Sequence, residues 1–255
     1  MTKITCIGSL VAVLGLGCGG GGDGGGVSEG PSVAKGTADV AAMNSSAVQA
    51  DNLNKALVSG SGEAVAGSAL SLSSAGMTSV KGGAGQALMV SQALSAMEAT
   101  GTTGTKTCTA SGCVFDKFGN GGFTMTGSVT ATDGAAGAKV VVWDLDGTLD
   151  ASATNSTSGG ATDVKFVYNW KGNITVSATS IVGAAGGTWK GSGSQGGQSF
   201  TFDYGSLIKF NAVVLTNGCA TGGTITAKWW LVAKSGGQDS TQGAEGSHTF
   251  TACSR

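Results

Sequence analysis

The stretch DVKFVYNWKGNITVSAT, residues 163–179, alternates apolar and polar side chains along nearly its whole length. One row holds Val164, Phe166, Tyr168, Trp170, Gly172, Ile174, Val176 and Ala178, and the other holds Lys165, Asn169, Lys171, Asn173, Thr175 and Ser177. Successive side chains of a β-strand point to opposite faces, so this period of two predicts a strand with one buried and one solvated face. Such strands are typical of antiparallel sheets.

The same alternation recurs on both sides of this stretch. It appears in GFTMTGSVTAT (122–132), VVVWDLDGTLD (140–150), SFTFDYGSLIKFNAVVLT (199–216), TITAKWWLVAK (224–234) and, more briefly, HTFTAC (248–253). We therefore predict a mainly β fold, in which residues 105–255 form an antiparallel curved sheet, either a half-barrel or a sandwich.

Several of these strands carry a glycine near the middle, at Gly127, Gly147, Gly172 and Gly205. Glycine inside a strand often marks a bulge or bend, so we interpret these positions as points where the sheet curves. A curved sheet has a hollow that must be filled. The candidate filler is a helix at 85–99, and an apolar ligand is the alternative.

Residues 37–104 are rich in Ala, Ser and Gly and contain two predicted helices. In 85–99, Ala87, Val90, Leu94 and Met97 share one face at spacings of three and four. A second helix is predicted around 39–58, with an apolar face made by Val40, Met43, Ala47, Ala50 and Leu57. Both faces bury little area, so we expect these helices to pack on or near the sheet.

The run VVVWDLDGTLD contains Asp144-Leu-Asp146-Gly-Thr, which resembles the first signature of the haloacid dehalogenase-like phosphatases. That resemblance implies Asp144 as nucleophile and Asp146 as general acid. In that family the apolar strand ends at the first aspartate, whereas here the alternation continues through the motif and places both carboxylates on the solvent face. An adjacent acidic pair for Mg²⁺ is also missing, since the only acids after Asp150 are Asp163, Asp203, Asp239 and Glu245. We therefore predict no catalytic site and place the phosphatase hypothesis last.

Other features of the chain argue against further classes of function. The formal net charge is −1, so no basic field favours nucleic-acid binding. The single histidine, His248, lacks an obvious catalytic partner, and GSGSQG (191–196) matches a GxGxxG motif but precedes no helix. We predict neither a cofactor nor a metal site.

Trp229 and Trp230 are adjacent and must point to opposite faces of their strand. One is predicted to lie in the core. The other is either exposed, where it would suit a sugar or a protein, or packed under a loop, which we favour.

The first eighteen residues, MTKITCIGSLVAVLGLGC, combine an early lysine, a short apolar run and small residues before Cys18. GGGGDGGG follows. This arrangement resembles bacterial lipoprotein precursors, which implies a signal peptide at 1–17, a lipidated (palmitate-bearing) Cys18 and a Gly-rich tether at 18–36. Gly19 implies sorting to the outer membrane, on its periplasmic face or at the cell surface. The alternative is an ordinary secretory signal that leaves a soluble protein.

Four other cysteines would remain after such processing, at Cys108, Cys113, Cys219 and Cys253. In an exported chain they predict two disulfides, for which three connectivities exist. Only TASG separates Cys108 from Cys113, so we expect this local pair and, with it, Cys219–Cys253. A four-cysteine zinc site is disfavoured because the spacing lacks two close pairs.

These features together predict a lipid-anchored exported protein that acts as a non-catalytic binding or structural module. Its partners are the membrane, through the anchor, and a protein, glycan or lipid that the sequence does not identify. The alternative is a carrier of lipid or another apolar ligand in the hollow of the sheet. An integral outer-membrane barrel is disfavoured because the strands are few and their polar faces carry Lys, Asp and Asn.

Overall fold

A computed structural model describes residues 26–82, 93, 95–97, 101–150, 162–195 and 198–253. Two helices follow a very short first strand, and nine further strands follow the helices. The elements are β1 (Ala34–Lys35), α1 (Val40–Val58), α2 (Gly62–Thr78), β2 (Thr103–Thr109), β3 (Gly112–Asn120), β4 (Phe123–Asp133), β5 (Lys139–Asp150), β6 (Thr162–Val176), β7 (Ile181–Gln195), β8 (Gln198–Thr216), β9 (Cys219–Ser235) and β10 (Gln238–Thr249).

All the strands belong to one sheet with the order β1-β10-β9-β8-β7-β6-β5-β4-β3-β2. From β2 to β10 each strand pairs antiparallel with its neighbour in sequence, and β1 adds a two-residue parallel pairing to β10. The sheet is curved and does not close, so the predicted half-barrel is confirmed. The last strand is longer than predicted and earlier in sequence, because HTFTAC contributes only its first two residues to β10.

The alternation predicted for β6 is confirmed by burial. Tyr168, Trp170, Ile174 and Val176 are buried on the face that contacts the helices, which we call the concave face. The residues between them lie on the opposite, convex face, where Lys165 and Asn173 are exposed. Register with β5 and β7 is continuous from Lys165 onward, so the neighbouring strands share this division.

Of the four central glycines, Gly127 lies at a register shift between β3 and β4, as predicted, and the other three have a different role. Strand pairing is continuous at Gly147, Gly172 and Gly205, so none of these three marks a bulge. Each instead lies against an aromatic ring from an adjacent strand, because a Cβ atom would meet Trp170 at Gly147 and overlap Trp143 at Gly172 or Trp230 at Gly205. Aromatic packing over glycine fills the gap that the missing side chain leaves.

Both helices begin with a side-chain cap. Asp39 accepts a hydrogen bond from Ala42 N at 3.0 Å, and Ser61 accepts one from Ala64 N at 3.2 Å. The helix predicted at 39–58 is therefore confirmed as α1. We missed α2, and the reason is physical, since its buried face is built largely from Gly, Ala and Ser, and such small residues give only a weak apolar pattern.

The sheet curves around α2, which contacts strands from β2 to β9. α2 runs across the strands, because Gly62 at its start meets the β2–β3 turn and Gly76 near its end meets Leu207 of β8. The hollow is filled by this helix together with α1. The predicted filler was 85–99, which lies mostly outside the described residues. Its described part is helical, and Ala93 and Ala96 are buried.

Small residues bring α2 close to the backbone of the sheet. A Cβ atom at Gly62 would overlap the turn between β2 and β3, and one at Gly76 would overlap the backbone of Leu207. Between these points, Ser73 accepts a hydrogen bond from Trp143 Nε1 at 2.8 Å, and its carbonyl accepts one from Ser206 Oγ at 2.5 Å. Buried hydrogen bonds of this kind specify how the helix sits on the sheet.

The four cysteines pair as predicted. Cys108 and Cys113 lie at disulfide-bonding distance across the β2–β3 hairpin, with their Cα atoms 4.1 Å apart. Cys219 and Cys253 also lie at disulfide-bonding distance, with Cα atoms 5.5 Å apart, and join the start of β9 to the segment after β10. The second pair closes the longer loop and so restricts the unfolded chain more.

Replacing Gly172 by Ala tests the packing of rings over glycines. We expect the free energy of unfolding to fall by about 1–3 kcal/mol, because the new methyl group overlaps the buried Trp143 ring. Denaturant titration followed by tryptophan fluorescence measures the change. The matched control is Gly222→Ala in β9, where the nearest atoms belong to Val214 at an ordinary 3.5 Å. Equal stability of the two variants would contradict the role assigned to Gly172.

Candidate functional site

Asp144 and Asp146 lie in the middle of β5 on the convex face, as the alternation predicted. Each meets the residue directly opposite on β6. Asp144 Oδ2 lies 3.0 Å from Lys171 Nζ, and Asp146 Oδ1 accepts a hydrogen bond from Asn169 Nδ2 at 2.7 Å. The two carboxylates are thus engaged in cross-strand pairs on an antiparallel sheet, a setting unlike the strand end used by the phosphatases they resemble.

The substitution Asp144→Asn tests whether Asp144 has a catalytic role or only a role at the protein surface. We expect the free energy of unfolding to fall by at most about 1 kcal/mol, because an ion pair at the protein surface contributes little. Hydrolysis of p-nitrophenyl phosphate with Mg²⁺ should be equally low in the variant and the parent protein. Lys171→Gln, which breaks the same pair from the other side, is the control. A Mg²⁺-dependent activity that Asp144→Asn abolishes would restore the phosphatase hypothesis.

The other residues singled out in the sequence lie apart from one another. His248 packs edge-on against Phe250 with ring centroids 4.7 Å apart, and Gly191 of the GxGxxG match lies in β7 beside the Phe202 ring. In the described ranges no group of three or more His, Cys, Asp or Glu side chains is placed to hold a metal ion. Cys18 lies outside the described residues.

A feature that sequence reasoning missed is a strap formed by residues 26–35, which crosses the convex face from β7 to β10. The Gly-rich tether predicted at 18–36 is therefore wrong for these residues, which pack on the sheet. Val27 packs over Gly186 of β7. The Glu29 carboxylate lies 2.7 Å from Lys209 Nζ of β8. The Glu29 backbone carbonyl accepts a hydrogen bond from Lys228 Nζ of β9 at 2.7 Å. Gly30, with φ +61°, lies over the Trp230 ring.

The end of the strap is held at the edge of the sheet. Ala34 and Lys35 pair with Ala244 and Glu245 of β10, and Gly36 N donates to Glu245 O at 2.8 Å. Lys35 Nζ also lies 2.7 Å from the Glu245 carboxylate, and this hydrogen bond holds the pKa of Glu245 below its usual value. Beyond Gly36 the chain passes around the edge and enters α1 on the concave side.

The strap buries residues that would otherwise be exposed on the convex face. Trp230 is 2% exposed, Leu207 4% and Lys228 8%, although all three point away from the helices. The Lys228 ammonium group lies 5.8 Å from the centre of the Trp230 ring, close enough for a cation–π contact. The prediction that one tryptophan of the pair packs under a loop is therefore confirmed for Trp230.

Gly30→Ala should loosen the strap. The substitution places a Cβ atom about 2.7 Å from Trp230 ring atoms. Alanine must also adopt the positive φ of this position, which costs about 1–2 kcal/mol. We expect faster hydrogen exchange at the Gly36 amide, which bonds to β10. Gly26→Ala is the control, since nothing lies within 4 Å of its Cβ position. Exchange that stays the same in Gly30→Ala would show that the strap is not held at this point.

Three rings on the concave face, those of Trp189, Tyr204 and Trp229, form a row that we call the aromatic row. Trp189 and Tyr204 stack with centroids 4.1 Å apart, and Tyr204 stacks on Trp229 at 6.1 Å. Burial raises the pKa of Tyr204. Trp229 is only partly buried, yet its Nε1 atom is enclosed and meets no acceptor in the described part of the chain. Trp189 and Tyr204 are buried, so Trp229 is the least enclosed ring of the row.

Comparisons of the chain with protein-family models, with curated proteins and with solved structures find no match. In the described part of the chain, neither α1 nor α2 is long and apolar enough to cross a membrane.

Proposed function

We propose that the protein is an exported, lipid-anchored and non-catalytic module, attached to the outer membrane through an acylated Cys18. In this proposal residues 19–25 join the lipid to the strap, and the sheet with its helices is the part presented to partners. A protein or a glycan is the proposed partner class. The strap is the observation that carries the proposal.

The strap supports the proposal because it ties the start of the described chain to the body of the protein. A terminus that is not tied down is usually poorly ordered, and an anchor attached to it would not hold the domain in a defined position. Here Glu29, Trp230 and the β1–β10 pairing fix the strap over a path that crosses four strands. A lipid on Cys18, eight positions before Gly26, would therefore be joined to a segment that is packed against the sheet.

Two further observations support the proposal. Disulfides persist in oxidising compartments, and both cysteine pairs lie at bonding distance, which agrees with export. Asp144 and Asp146 are paired with Lys171 and Asn169 on an open face, and this arrangement suits a surface role better than catalysis.

Metabolic labelling with an alkyne analogue of palmitate tests the anchor. We expect the full-length chain, expressed in a Gram-negative bacterium, to carry the label and to fractionate with outer membranes. Cys18→Ser should lose both properties. Cys6→Ser is the matched control and should keep both, because Cys6 lies within the proposed signal peptide. Label that survives Cys18→Ser would refute lipid anchoring at this residue.

The aromatic row favours one second candidate, a carrier of lipid or another apolar molecule. Trp229 offers partly exposed apolar surface inside the hollow, together with an indole N–H that meets no acceptor among the described residues. Solvent extraction of purified Cys18→Ser protein followed by mass spectrometry tests this role, since that variant carries no covalent lipid of its own. A stoichiometric lipid that is lost in Trp229→Ala would favour the carrier, and an empty extract would exclude it.

A further inference from the structure

Two carboxylates and three ammonium groups meet where the strap crosses β8, β9 and β10. The Glu29 carboxylate lies 2.7 Å from Lys209 Nζ. The Glu245 carboxylate lies 2.7 Å from Lys35 Nζ. Lys228 lies directly opposite Glu245 across β9 and β10, and its ammonium group donates to the Glu29 backbone carbonyl at 2.7 Å. These contacts tie the strap to the sheet through groups whose charge depends on pH.

Lys228 is the enclosed member of this cluster. The residue is 8% exposed, whereas the side chains of Lys35 and Lys209 are 85% and 44% exposed. An ammonium group that is held away from water is costly unless opposite charges lie nearby. The carboxylates of Glu29 and Glu245 supply those charges, because both lie in the same region of the convex face as Lys228. Docking of the strap over Lys228 therefore depends on ionised carboxylates.

Acid removes these negative charges. The hydrogen bond from Lys35 holds the pKa of Glu245 below its usual value, and the nearby lysine charges act in the same direction. Because Lys35 belongs to the strap, this lowering requires a docked strap. The charged carboxylate therefore stabilises docking at neutral pH, and the stabilisation is lost as the pH falls below the ordinary glutamate pKa of about 4.3. With both carboxylates protonated, Lys228 lies under the strap without a counter-charge.

The backbone pairing that holds the strap is short. Within the described residues, only Ala34 and Lys35 of the strap pair with β10, whereas β10 pairs with β9 from Gln238 to Thr249. Segments with few backbone hydrogen bonds open by local unfolding at a lower free energy than the core of the same protein. The strap can therefore leave the convex face while β9 and β10 stay paired, and its departure gives Lys228 access to water.

We propose that the strap is a pH-sensitive cover of the convex face. It hides Leu207 and Trp230 at neutral pH, and in acid it leaves them exposed while the sheet stays folded. Acylation of Cys18 is not required for this behaviour, so it goes beyond the proposed anchoring role.

Hydrogen exchange measured on the full-length chain from about pH 7 to about pH 3 tests the proposal. The protection of each amide is expressed relative to an unstructured peptide at the same pH, because acid itself slows the exchange chemistry. We expect the protection of the Gly36 amide, which bonds to β10, to fall by at least about tenfold over this range. Protection of the Trp170 amide in β6 should fall much less. Loss of protection at both amides together, or at neither, would overturn the proposal.

Lys228→Met tests whether the enclosed ammonium group drives the opening. Methionine keeps an unbranched side chain over the Trp230 ring but carries no charge, so the Gly36 amide should stay protected to a lower pH than in the parent protein. Opening of this variant at the same pH as the parent protein would contradict the mechanism.

Glu245→Gln gives an independent test that does not require Lys228→Met to fold. Because glutamine carries no charge at any pH, protection of the Gly36 amide should fall by about threefold already at neutral pH. Asp144→Asn, which removes a carboxylate from the same face away from the strap, is the matched control and should behave as the parent protein. Equal protection of the Gly36 amide in the two variants at neutral pH would refute the role given to Glu245.

Discussion

The rest of the structure depends on the packing of aromatic rings over glycines on adjacent strands. Trp143 lies over Gly172, Trp230 over Gly205 and Phe202 over Gly191, each in direct register across two strands. Each glycine lacks a side chain and so leaves room for the neighbouring ring. The ring in turn buries the apolar area that a glycine cannot. This exchange lets a chain with 47 glycines form long, densely packed strands.

Small residues also determine how closely α2 approaches the sheet. Gly62, Ser73 and Gly76 let α2 approach the strand backbone, and the hydrogen bonds of Ser73 to Trp143 and Ser206 tie it to β5 and β8. A helix with larger residues at these positions would be held farther from the sheet. Small residues in α2 therefore determine how closely the helix packs into the hollow of the sheet.

The sequence predicted the features that leave a local pattern. Alternation identified β5, β6, β8 and β9 and placed Asp144 and Asp146 on the solvent face, and helical spacing identified α1. Strand β7 was missed because IVGAAGGTWKGSGSQ reads as a linker, and the rings that make it a strand belong to β6 and β8. The strap was missed for a related reason, since its partners Lys209, Trp230 and Glu245 are far away in sequence and no local signal points to them.

The meander topology sets the order in which the parts of this protein come together. Strands β2 to β10 pair with their neighbours in sequence, so the sheet grows through contacts that need only short loop closures. The strap is the exception, because Lys35 meets Glu245 across 210 positions. The strap is synthesised first, but it can dock completely only after β9 and β10 have been synthesised. A polypeptide that terminates before β10 lacks Ala244 and Glu245, so the end of its strap has no strand with which to pair.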